Sequence, residues 1–276
     1  MNGHSQQPQP DDIASFIYHS GFLQANFADT QLILHNTAQP FPTYSLHALI
    51  VARSPRIFEQ LKRAAGPPYQ LHLEASDPNL TVEGLNIALG SLYSGRKEVP
   101  SSLSLGVLAA SNLLHLEGLG RLAWESCITY FKSPEGLEEG IRFVLSSSQE
   151  HVNGQTSPIT NIEGPYPQYT KGLLPELLQY LISTIQSSQS ESILVTLPFP
   201  LLKSVLESPD LQMSSMERHN YARMVVSKRK RFLEPGVEEN VVMAFGTDSK
   251  SGGIEVLRKD KSSKKKALWK AGTNTR

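Results

Sequence analysis

Thr30-Gln31-Leu32-Ile33-Leu34-His35 and Tyr69-Gln70-Leu71-His72-Leu73-Glu74 bracket the segment that decides the fold. The first has strand composition. The second alternates strictly, with Tyr69, Leu71 and Leu73 on one face and Gln70, His72 and Glu74 on the other. After the first strand, Asn36-Thr37-Ala38-Gln39-Pro40 is turn material leading to an irregular strand over Phe41–Ser45, which predicts a hairpin. Leu46–Arg63 follows, where Leu46, Leu49, Ile50, Ile57, Phe58 and Leu61 are spaced for a buried helix and Pro55 must start a new helix or kink the old one. Gly66-Pro67-Pro68 stops it.

Working outward, the period turns helical from Thr81, a candidate N-cap for an apolar stripe of Val82, Leu85, Ala88, Leu89, Leu92 and Tyr93 closed by Gly95. Leu103–His115 and Gly118–Phe131 read as two more helices, and Ser133-Pro134-Glu135 opens a fourth that runs to Ser146. Upstream, residues 1–12 read as a disordered leader and Ile13–Tyr18 as a short helix. Short strands followed by a run of helices predict an α+β fold rather than a doubly wound α/β one. Residues 13–132 form the first domain on this reading and 133–150 an extension helix. Residues 151–170, rich in Asn, Gly, Pro, Ser and Thr, form a flexible linker and the domain boundary. Residues 171–233 form a helical region, with helices over Leu173–Ser187, Pro198–Glu207 and Ser214–Leu233 and a short extended piece at Ile193–Leu197. Residues 234–276 form a basic β-rich tail, a hairpin or meander of Asn240–Phe245, Ile254–Lys259 and Ala267–Ala271.

The chain has 276 residues, 39% hydrophobic, with 26 Lys+Arg against 26 Asp+Glu. The neutral total hides a split: residues 1–216 carry 11 cations and 19 anions, residues 217–276 carry 15 and 7. One cysteine excludes a disulfide framework and a cysteine-based zinc finger. No run nears the ~18 apolar residues of a membrane helix, and the polar start lacks a signal-peptide pattern, so a membrane role is not expected and the location is read as intracellular, cytoplasmic and/or nuclear. Lys228-Arg229-Lys230-Arg231 matches a basic nuclear-address pattern, with Lys264-Lys265-Lys266 as a second cluster. The basic tail, with Trp269, also offers a nucleic-acid-binding alternative.

Phosphate-cradling and nucleophile-elbow motifs are absent: no G-x-x-x-x-G-K-[ST], G-x-G-x-x-G or G-x-S-x-G. Eight histidines are scattered, none spaced i,i+4 with another ligand. Cys127 lies on the apolar face of its helix and reads as core. No catalytic, cofactor-binding or metal-ligating residue is assigned, and the chain is read as a non-enzyme.

Five motifs stand in order: Asp29 before the first strand; Tyr44-Ser45-Leu46-His47; Ala52-Arg53-Ser54-Pro55-Arg56-Ile57-Phe58; Leu92-Tyr93-Ser94-Gly95; and Val107-Leu108-Ala109-Ala110-Ser111-Asn112-Leu113-Leu114. Over residues 20–132 this pattern resembles the BTB/POZ family. The resemblance implies a small sheet with helices, structural roles for Asp29, His47, Ser54, Phe58, Tyr93 and Gly95, and a protein-binding module that homodimerises through its first helix, here Phe16, Ile17, Phe22, Leu23 and Phe27. In transcription-factor members a basic residue follows the helix-opening histidine; here it is Ala48. Members that bind a cullin-3 scaffold carry a hydrophobic-x-Glu motif after the central helix; Lys62–Tyr69 has no acid, leaving the cullin-3 ubiquitin-ligase adaptor as an alternative by analogy. Leu194–Phe199, Leu202–Leu211 and Glu217–Lys230 resemble a BACK-type helical extension, the layout of fungal BTB proteins with a basic tail.

Overall fold

The structure is a computed structural model that describes residues 10–96, 98–146, 165–185, 188–243 and 253–260. The chain divides into two compact units, 1–130 and 131–276.

The first unit is α+β, as the order of patterns predicts. Helix α1 (Pro10–Phe16) runs on as a wider π-helical segment, Ile17–Leu23. Its first three residues, Pro10–Asp12, lie inside the stretch read as leader, and it extends beyond Tyr18. Strand β1 (Thr30–His35) pairs antiparallel with β2 (Tyr44–Leu46) and parallel with β3 (Tyr69–Glu74), so β1 is the centre of a three-stranded sheet. Leu32, Leu46, Leu71 and Leu73 point from this sheet into the core.

Pro55 divides the central helix as its ring requires. Helix α2 (Ala48–Val51) ends before it and α3 (Pro55–Leu61) starts on it. Ser54 Oγ accepts from the Ile57 amide at 3.3 Å and donates to the Leu114 carbonyl at 2.7 Å, so one buried hydroxyl caps α3 and ties it to the stretch that ends at Leu114. Leu49 departs from the buried-helix reading: α2 is one turn long, and Leu49 is 88% exposed. Phe58, 45% exposed, lies under the Lys62 ammonium instead of in the core.

Helices α4 (Val82–Ser94) and α5 (Ser104–Leu114) pack together at glycine distance, with their first turns in contact: a Cβ on Gly84 would overlap the Gly106 backbone. Thr81 caps α4 by accepting from the Gly84 amide at 3.0 Å, and Gly95, at φ 68°, ends it in the left-handed conformation. Helix α6 (Glu117–Phe131) buries Leu119, Ala123 and Cys127.

In the second unit, α7 (Leu137–Ser146) buries Leu137, Ile141, Phe143 and Val144 and packs on α9 (Leu173–Ser183). The Phe143 ring lies 6.2 Å from that of Tyr166, ahead of a short helix, α8 (Pro167–Thr170). Residues 167–170, within the stretch read as linker, form α8. Helices α10 (Ser188–Thr196), α11 (Phe199–Leu206) and α12 (Ser215–Arg229) follow. Ile193–Leu197 is therefore helical up to Thr196 rather than extended: its β-branched residues suggest a strand, but burial of Ile193 and Leu194 on a helix face prevails.

Strands β4 (Val237–Met243) and β5 (Ile254–Asp260) make an antiparallel hairpin. The outer edge of β5 is closed by side chains, since Lys203 Nζ donates to the Val256 carbonyl at 3.2 Å and the Val256 amide donates to Glu207 Oε1 at 2.7 Å. The third strand expected at Ala267–Ala271 lies outside the described residues.

Candidate interaction surface

Asp29, His47 and Tyr93, far apart in the chain, meet at the start of α2. Asp29 Oδ1 accepts from the Ala48 amide at 2.7 Å and from Thr30 Oγ1 at 2.9 Å. The Tyr93 hydroxyl accepts from the His47 amide at 2.9 Å and lies 3.1 Å from His47 Nδ1. His47 Nε2 is 2.7 Å from the Asn26 carbonyl, which can only accept, so Nε2 carries the proton and Nδ1 takes the tyrosine's. Burial pushes the Tyr93 hydroxyl up to about 12, the His47 amide opposing and the Asp29 charge adding to the shift. Asp29, His47 and Tyr93 each hold a backbone group: the Ala48 amide, the Asn26 carbonyl and the His47 amide. The cluster's chemistry is that of a brace.

The brace fixes the loop that ends the N-terminal helix, and there the apolar residues read as a dimer surface divide in two. Ile17 and Phe22 are half-buried, with the Phe22 ring 5.2 Å from Tyr93 and 5.6 Å from Tyr18. Phe16, Leu23 and Phe27 stay open, at 68%, 57% and 94% exposure. Ile13, at the start of the first helix, and Leu49, whose spacing suggests a core position, are exposed as well. Helix α1, its π-helical continuation and α2 all pack on α4, which supports this open face from beneath. A shallow groove of about 390 Å³ runs beside it, lined by Tyr18, Phe22, Leu23, Tyr44 and Ile87. Phe27 sits at φ 64°, a backbone conformation that costs a bulky residue energy.

The basic run of the second unit is divided between uses. Lys228 pairs with Glu191. Arg229 is buried: its Nη1 donates to the carbonyls of Leu194, Val195 and Leu197, closing the end of α10, and its Nε meets Glu239 Oε2 at 2.8 Å. Lys230 and Arg231 face solvent. Residues 264–266 and Trp269 lie outside the described residues. No described helix is long and apolar enough to cross a membrane.

No family model matches the chain. The BTB domain of human gigaxonin is 21% identical, covering 45% of this chain and 98% of that one at a TM-score of 0.32. BTB/POZ domain-containing protein 2 of Schizosaccharomyces pombe is 33% identical over 288 residues, covering 97% of this chain and 95% of that protein. A likeness of that level along nearly the whole of both proteins, joined to the motif order and the sheet-and-helices first unit, means that the chain belongs to the BTB/POZ domain-containing proteins.

Proposed function

We propose that the chain is a non-enzymatic interaction module, a scaffold or adaptor whose first unit pairs with a second copy of itself through the apolar face of α1, its π-helical continuation and α2. Phe27 carries this reading. A non-glycine residue in the left-handed region costs about 1–2 kcal/mol, and Phe27 adopts it while 94% exposed. Burial of the ring against a second copy would offset that strain. Phe16, Leu23 and Leu49 add apolar area that the chain itself leaves uncovered. A self-complementary patch closes by two-fold symmetry, with each copy covering the other's open rings. The helical second unit serves in this reading as a BACK-type extension that spaces further protein contacts from the paired front units.

The test is light scattering on the full chain. A mass of twice 30.5 kDa is expected for the wild type, and the monomer mass for a Phe16→Asp, Phe27→Asp double variant whose helical circular dichroism is unchanged. A wild type that stays monomeric at concentrations of tens of micromolar overturns the reading.

A further inference from the structure

We propose that His35 and His72 form a chelating pair for a divalent transition-metal cation of the zinc and copper class, on the solvent-facing side of the first unit's sheet. The two residues stand 37 positions apart, but the parallel pairing of β1 and β3 brings them side by side: His35 is opposite Glu74, and His72 is opposite Ile33. His35 Nε2 and His72 Nδ1 are 2.7 Å apart, the rings are close to parallel with centroids 5.0 Å apart, and both side chains are exposed.

Neutral imidazole has one N–H and one lone pair. In the 2.7 Å contact one ring presents its N–H to the other's lone pair. Moving that proton to the ring's second nitrogen leaves two lone pairs facing one point. Two nitrogens on one tetrahedral Zn²⁺, each about 2.0–2.1 Å from it, sit roughly 3.3 Å apart, so a small outward rotation of the rings makes room for the ion. The backbone beneath is already fixed. The Ala75 amide donates to the His35 carbonyl at 2.9 Å, and Gln60 Nε2 donates to the His72 carbonyl at 2.6 Å. Glu74, His35's partner in register, brings a carboxylate to the same strand end, where Asn36 Nδ2 holds it.

Imidazole pairs suit Zn²⁺, Cu²⁺ and Ni²⁺ rather than Mg²⁺ or Ca²⁺. Among the described residues no third histidine, cysteine or carboxylate completes a cage, so solvent fills the remaining positions and the ion stays exchangeable. The inference does not depend on the dimer.

The experiment is calorimetric titration of the full chain with Zn²⁺ and with Cu²⁺ near pH 7.5, where most imidazoles are neutral. One equivalent is expected to bind at this pair. Because the second ligand acts intramolecularly, His35→Gln or His72→Gln alone is expected to weaken it about a hundredfold, and the double variant little further. His219→Gln, in the other unit, leaves it unchanged. The electron paramagnetic resonance spectrum of the Cu²⁺ form shows two coupled imidazole nitrogens in the wild type and one in either single variant. Zn²⁺ also raises the melting temperature of the wild type and not of the variants. Binding unaltered by either substitution, or a one-imidazole spectrum in the wild type, overturns the proposal. A melting-temperature loss in the variants with metal binding intact overturns it too, since the pair is then a hydrogen bond only.

Discussion

Arg229 Nε stands 2.8 Å from Glu239 Oε2, and both side chains are withdrawn from solvent. A buried ion pair is expensive to break from one side, because the remaining charge keeps its desolvation penalty, about 3–5 kcal/mol. Here the two sides differ. Arg229 also serves three carbonyls at the end of α10, whereas the Glu239 carboxylate, among the described residues, is met by Arg229 through Nε and Nη2. Arg229→Ala is therefore expected to cost more than Glu239→Gln, which keeps a side-chain acceptor for the guanidinium. Urea unfolding of the two variants and of the double variant measures the difference; equal losses would show that the carbonyl contacts contribute nothing.

The Asp29 carboxylate does for α2 what a serine or threonine does elsewhere, accepting from the Ala48 amide at 2.7 Å. Asp29→Ala removes that acceptor and is expected to cost about 1 kcal/mol, the usual worth of an N-cap. Asp29→Asn keeps a side-chain oxygen and is expected to lose less than half as much. Thermal melts of the two variants check the order.

Much of this arrangement was legible in the sequence because it depends on local chemistry. The alternation of Tyr69–Glu74, the Ser54-Pro55 helix start and the Gly95 stop are each set by residues within a turn of one another, and all three appear where the pattern puts them. What was not legible depends on distance in the chain. Ile193, Val195 and Thr196 look like strand residues, and only packing against the rest of the second unit makes them helical. Lys228-Arg229-Lys230-Arg231 reads as four equivalent cations; no local rule says that Arg229 alone turns inward to an acid ten residues later and a helix end more than thirty residues earlier. Leu49 has the spacing of a core residue, and it faces water because α2 ends after one turn. The meeting of His35 with His72 depends on parallel register, which a single sequence does not print.

The approach of α4 to α5 makes a second graded test. A Cβ on Gly84 would overlap the Gly106 backbone, and one on Gly106 would press on Thr81 Oγ1, the oxygen that caps α4. Backbone cannot swing aside, so Gly84→Ala is expected at or above the upper end of the overpacking range, about 3 kcal/mol. Gly90 lies on the same helix, yet a Cβ there meets only the ring edges of Tyr18 and Phe22, at 3.0 and 3.3 Å. Those rings can turn, and Gly90→Ala is expected to cost about 1 kcal/mol. Calorimetric melts that rank Gly90→Ala as the worse variant would contradict the packing described for this helix pair.

Alkali should unfold the protein through its tyrosines. Burial pushes the hydroxyls of Tyr44, Tyr93 and Tyr221 up to about 12, helped by the charges of Glu83, Asp29 and Glu191 respectively, while at Tyr93 the His47 amide pulls the other way. In the unfolded chain each ionises near 10. Between those values the unfolded state has lost protons that the folded state keeps, so stability falls as pH rises. The contribution is whole below about pH 10 and declines as pH passes through about 12. Phenolate absorbance followed together with helical circular dichroism is expected to show Tyr44, Tyr93 and Tyr221 ionising only as helix is lost, and Tyr93→Phe is expected to remove one late equivalent. If those three ionise near pH 10 while the helices persist, their hydroxyls are not held in the interior and the brace at His47 is open to water.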